Sequence, residues 1–183
     1  MQRILKTSLG VMFAGGLMVT SWAGFENFHA GTVIENYGKV ATVKTDEPLP
    51  NRVKFKVAFD VADPAKAGEV NRKIDSLARF INMHAEAGVP QKRIHLAMVV
   101  HGKATMDFTK TSRYSQTYEG VENANADLIE ALSAAGVKFY ICGQSAAYYD
   151  VSNDDLLPGV NMSLSAMTEH ALLQQDGYSL NPF

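Results

Sequence analysis

Apolar positions along this chain switch repeatedly between two periods, short continuous runs and stripes spaced three and four residues apart. Residues 53–61, Val-Lys-Phe-Lys-Val-Ala-Phe-Asp-Val, alternate at first and then become mostly apolar, as a strand covered on both faces does. Val70, Ile74, Leu77, Ala78, Ile81 and Ala85 follow as one stripe, which predicts a helix that stops at Gly88 before Pro90. Residues 94–100 form a second apolar run. The order then repeats, with a helix over 124–135 that turns Leu128, Ile129 and Leu132 inward, a stop at Gly136 and a strand over 137–142. A short strand over 160–164 and a helix over 165–176, stopped by Gly177, close the chain. Strands alternating with helices of this length predict right-handed crossovers and a mostly parallel sheet with helices on both faces.

Residues outside this rhythm divide into three segments. The first 23 begin with Arg3 and Lys6, continue in an apolar run from Leu9 to Val19 and end in Ser21-Trp22-Ala23, the pattern of a secretory signal peptide cleaved after Ala23. That run is shorter than the roughly 20 apolar residues needed to span a bilayer. The expectation is an exported protein, periplasmic in a Gram-negative cell, with no membrane attachment once the signal is removed. Residues 24–52 are polar and mixed, with Gly31, Gly38, Pro48 and Pro50, and read as an arm carrying one short strand and packing on the domain or on a neighbouring subunit. Residues 104–122 exceed an ordinary crossover loop and, following His101 directly, are expected to hang over whatever site lies there.

Charge and cysteine count narrow the chemistry. Removal of residues 1–23 takes Arg3 and Lys6 from 17 basic residues and nothing from 19 acidic ones, leaving 15 against 19 and a net charge of −4. No basic field remains to attract nucleic acid. The one cysteine, Cys142, permits no internal disulfide, and in an oxidising compartment a single thiol implies an intermolecular partner, a reactive group or a buried inert one. The five histidines, at 29, 84, 95, 101 and 170, lack metal-ligand spacing. No glycine-rich phosphate loop follows a strand, so neither a dinucleotide nor a nucleoside triphosphate is expected. No metal or other cofactor is implied.

Parallel strands place their carboxyl ends on one sheet edge, where sites of open α/β folds gather. That edge would collect Asp60 and Asp63, then His101-Gly102-Lys103, then Cys142-Gly143-Gln144-Ser145. Cys142 is the candidate nucleophile. His101, or the cation of Lys103, would raise its thiolate fraction if strand order brings them together. Gly102 and Gly143 would let backbone N–H groups approach a bound anion, with Gln144 and Ser145 as further ligand contacts. Two plainer readings stand beside these, Cys142 as a small packed residue and His101 as a cap on strand-end carbonyls.

Several of these residues also carry a resemblance. Val-Val-His-Gly at 99–102, Asn125 with Leu128, Ile129 and Leu132, Ala135-Gly136-Val137, Cys142-Gly143-Gln144-Ser145, Leu157-Pro158-Gly159-Val160 and the ending Gly177-Tyr178-Ser179-Leu180-Asn181-Pro182-Phe183 resemble an exported branch of the DsrE/DsrF-like family. The resemblance runs from Val53 to the C-terminus. It implies a three-layer α/β/α domain over residues 53–183 with a parallel sheet of about five strands, flavodoxin-like in layout, and assembly into homotrimers or larger rings. It also implies a sulfur relay through a cysteine persulfide, with Cys142 as the carrier, His101 and Gln144 beside it and a thiol-bearing protein as partner. The competing expectations are an oligomeric small-ligand-binding protein in which Cys142 only lines the cleft, and an interaction protein that assembles through residues 24–52.

Overall fold

A computed structural model describes residues 24–181 of the chain; the expected signal peptide, residues 1–23, lies outside the described residues. Five parallel strands, β3 (Phe55–Val61), β4 (Ile94–Val100), β5 (Lys138–Cys142), β6 (Val160–Ser163) and β7 (Ser179–Asn181), form one sheet in the order β6-β5-β4-β3-β7. A separate antiparallel pair, β1 (Phe28–His29) with β2 (Val40–Ala41), belongs to the arm. The helices are α1 (Arg72–Glu86), α2 (Thr111–Thr117), α3 (Ala126–Ala134), α4 (Gly143–Tyr148) and α5 (Ala166–Gln175).

Strand alternation sorts the sheet into two unlike faces. Val57, Phe59 and Val61 of β3, Leu96, Met98 and Val100 of β4, and Phe139 and Ile141 of β5 share one face. They pack against Ile74, Leu77, Ala78 and Ile81 of α1 and Leu128, Ile129 and Leu132 of α3, which are the two stripes read from the sequence. Ala58, Ala97 and Val99 point the other way and meet Leu173 and Tyr178 beside α5. Small side chains at the sheet centre let this one helix lie across it. The expected three-layer α/β/α architecture is therefore present, with α1 and α3 on one side and α5 on the other.

The arm packs on α1 of its own chain and holds two short strands where one was expected. Its anchor is Asn82, fully buried on α1. The Asn82 Oδ1 accepts from the backbone N–H groups of Ile34 at 2.9 Å and Val33 at 3.3 Å, and Nδ2 donates to the carbonyls of Ile34, Tyr37 and Gly38 at 3.0, 3.0 and 3.2 Å. Gly38, at φ +61, passes so close to the helix that a Cβ would lie 2.2 Å from the Arg79 backbone nitrogen. Buried Ile34 and Val40 complete the contact.

The segment following His101 corrects the expectation of a covering loop. A 3-10 turn, Gly102–Phe108, and α2 carry it into the fold, and Ala104, Thr105, Met106, Asp107, Phe108, Thr109 and Tyr114 are all buried. Its polar residues are bonded internally in part, with Thr105 Oγ1 and Asp107 Oδ1 buried without a hydrogen-bond partner among the described residues. The Asp107 carboxylate accepts from Ala65 N–H at 2.9 Å and from Asn71 Nδ2 at 2.8 Å, while Asn123 Nδ2 donates to the carbonyls of Asp107 and Thr109. Burial pushes the Asp107 carboxyl up. Among the described residues no helix is long and apolar enough to cross a membrane.

Candidate functional site

The carboxyl edge of the sheet opens into a cavity of about 330 Å3 lined by Asp60, His101, Cys142, Gln144, Ser145, Ser165, Ala166, Met167 and His170. Strand register places Asp60, His101 and Cys142. Asp60 lies opposite Val99 on β4, two positions short of His101, and Cys142, the last residue of β5, lies opposite Ser163, the last of β6. The chain after Ser163 turns at Ser165, whose Oγ accepts from Thr168 N–H at 3.0 Å and so starts α5. That helix brings Ala166, Met167 and His170 over the strand ends.

Cys142 is itself buried, at 6 % exposure. It ends β5 and caps α4, so the chain passes from extended to helical at the thiol. Burial raises the thiol pKa, but the backbone N–H groups of Ala166, Ser145 and Gln144 and the Ser145 hydroxyl all donate toward Sγ. Together they outweigh burial and hold the thiol below its ordinary value. Ser145 is fixed for this task because its Oγ accepts from Gly102 N–H at 3.0 Å, leaving the hydroxyl proton for the sulfur. Gly102 therefore acts by orienting Ser145.

Asp60 links two imidazoles across the cavity. His101 Nε2 lies 3.0 Å from its Oδ2 and His170 Nε2 lies 2.7 Å from its Oδ1. An ionised carboxylate only accepts, so each Nε2 carries a proton and donates it, which leaves each Nδ1 as the basic nitrogen. Among the described residues no group of three or more His, Cys, Asp and Glu side chains is arranged to hold a metal ion.

The structure thus brings His101, Cys142, Gln144 and Ser145 onto one cavity. Gly102, Gly143 and Lys103, expected as ligand contacts, are not among the lining residues, and Lys103 is exposed. The expected cause of thiol activation is corrected. Backbone N–H groups and Ser145 depress the Cys142 pKa, whereas His101 is bonded to Asp60 and Lys103 is not among the residues acting on the thiol. Sequence reasoning placed Asp60 at the edge without giving it a role and missed His170, Ser165, Ala166 and Met167. His170 carried no local signal, since its partner Asp60 stands 110 residues away.

Gly143 is required by close approach. A Cβ there would lie 2.6 Å from the Ser163 carbonyl and 3.2 Å from that of Leu164, both backbone atoms of the segment that presents Ala166 N–H to the sulfur. Gly143→Ala is expected to cost about 1–3 kcal/mol through overpacking and to raise the Cys142 pKa, measured by denaturant unfolding and by the pH dependence of native alkylation.

The comparisons with known proteins agree with this architecture. Two solved structures share the fold, each with a TM-score of 0.52 and 15 % sequence identity. One is the protein of unknown function MTH1491 from Methanobacterium thermoautotrophicum, for which the match covers 71 % of this chain and 100 % of that one. The other is the ychN protein from E. coli, with 70 % of this chain and 99 % of that one covered. No curated protein matches the chain. The model of the DsrE/DsrF-like family matches residues 56–182, which takes in all five strands of the parallel sheet almost from end to end together with Asp60, His101, Cys142 and His170. The chain belongs to the DsrE/DsrF-like family.

Proposed function

We propose that this protein is an exported sulfur handler, in which Cys142 accepts sulfane sulfur or a mixed disulfide and passes it to the thiol of a partner protein. The observation that carries this reading is the set of donors converging on Sγ, three backbone N–H groups and one hydroxyl, which favour the thiolate inside a cavity open to a small molecule. The thiolate is the form that attacks a sulfur–sulfur bond. In the accepting step Sγ bonds to the outer sulfur of a persulfide, the old S–S bond breaks and the donor departs as a thiolate. In the delivering step the acceptor thiolate attacks that outer sulfur and Cys142 leaves. Sulfur is exchanged without an external oxidant.

Export rests on the signal pattern of residues 1–23 and assembly into homotrimers or larger rings on the family resemblance. Exposed apolar side chains near the cavity, Tyr148, Leu164 and Met167 at 81, 71 and 81 %, support contact with another protein at this edge. Ligand binding without chemistry would ask only for a lined cavity and gives no reason to stabilise a thiolate.

The test is intact-mass analysis after incubation with a low-molecular-weight persulfide, followed by addition of an acceptor thiol. The expected result is one added sulfur atom on Cys142, lost to the acceptor. A native protein whose thiol stays unmodified under these conditions would overturn the reading.

A further inference from the structure

The sulfur-transfer reading leaves one cluster of the cavity without a task, the His101–Asp60–His170 array. We propose that His101 and His170, held by Asp60, deliver the proton to the departing sulfur, which makes this cavity a site for donors that leave as alkyl thiolates, such as alkyl persulfides and alkyl disulfides. This inference rests on the proposed sulfur chemistry of Cys142 and specifies its substrate class.

The two imidazoles are the side chains of the lining, besides the thiol itself, of the type that most often serves as a general acid. Each has Nε2 tied to Asp60, which fixes ring orientation and assigns any delivered proton to Nδ1. Neither Nδ1 makes a hydrogen bond to the described residues. The lining also holds a carboxylate and no lysine or arginine. Ala166 and Met167 supply an apolar wall suited to a short aliphatic chain.

The Cys142 thiolate attacks one sulfur of the donor, and the donor S–S bond breaks with its electron pair on the alkyl sulfur. An imidazolium Nδ1–H gives its proton to that sulfur, so an alkyl thiol leaves and a neutral imidazole remains, to be reprotonated from water. The Cys142 sulfur is oxidised to the disulfide level as the departing sulfur is reduced. Poor leaving groups gain most from such a proton, because thiolates of low-pKa thiols depart unaided. The charged and titratable groups facing the histidines are Asp60 from β3, Cys142 from β5 and, for His170, its neighbour Glu169 on α5. Asp60 is a positioning residue, acting through both rings.

The experiment compares two neutral disulfides that differ in leaving group, bis(2-hydroxyethyl) disulfide and 2,2′-dipyridyl disulfide, with adduct formation on Cys142 followed by intact mass. His101→Gln, His170→Gln and Asp60→Asn are each compared with wild type. The inference expects the alkyl disulfide to react more slowly in the double variant His101→Gln/His170→Gln by about 10²-fold, with the dipyridyl disulfide changed by less than about threefold. Asp60→Asn should show the same donor dependence, which a merely structural role would not produce. Equal losses with both disulfides, or no loss with the alkyl one, overturn the inference while leaving a reactive Cys142 in place. A wild-type protein inert to the dipyridyl disulfide overturns the sulfur-transfer reading, and this inference falls with it.

Discussion

Cys142→Ser is expected to abolish adduct formation with any persulfide or disulfide while changing stability by no more than about 1 kcal/mol. The two halves follow from the same contacts. A serine hydroxyl is not ionised in this pH range, so it cannot attack sulfur, yet its oxygen can accept from the Ala166, Ser145 and Gln144 N–H groups that converge on Sγ. No donor is orphaned, and the volume change is small. The stability comparison should also depend on pH. A thiol whose folded pKa lies below its unfolded value stabilises the fold fully above the unfolded pKa, and that contribution is lost as pH falls through the folded pKa. Wild type should therefore gain on Cys142→Ser as pH rises through that window, as read by urea unfolding at a series of pH values. A large stability loss at low pH, with slow reaction of the wild-type thiol, would instead mark Cys142 as a packing residue.

Asn82→Ala is expected to destabilise the fold by about 3 kcal/mol, because removal of one amide leaves several backbone groups of the arm without partners. The Asn82 side chain holds the N–H groups of Val33 and Ile34 and the carbonyls of Ile34, Tyr37 and Gly38 in a fully buried position. Asn82→Asp should not rescue the loss at neutral pH, since a carboxylate keeps the acceptor, cannot donate to the carbonyls and is costly to bury. Hydrogen exchange over residues 28–41 and denaturant unfolding check this. A loss under about 0.5 kcal/mol with unchanged exchange would show that Ile34 and Val40 hold the arm by apolar contact alone.

The apolar pattern was legible wherever a segment crosses the core. The stripe of α1, the run of β4 and the inward residues of α3 lie where periodicity put them because burial against the sheet leaves no other choice. β7 was not legible by pattern, since Ser179, Leu180 and Asn181 form a three-residue edge strand with little burial. Nor was α4, because Gly143-Gln144-Ser145 carries turn residues, although the chain turns helical there beside the Ser163 carbonyl. Residues 104–122 read as a segment hanging over the site, whereas Thr105, Asp107 and Thr109 are buried inside the fold. At the site, strand-end logic found Cys142, His101, Gln144 and Ser145. It assigned thiol activation to cations because side chains are visible in a sequence and converging backbone N–H groups are not. His170 became a site residue only through the packing of α5 across the sheet.

The central claim is that the fold holds Cys142 as an available thiolate, and the most direct measurement is the rate of its alkylation by iodoacetamide in the native protein as a function of pH. The account predicts complete single-site reaction, with a midpoint below the roughly 8.5 of an ordinary cysteine and shifted upward in Gly143→Ala. A midpoint at or above the ordinary value, or reaction only after unfolding, would contradict it.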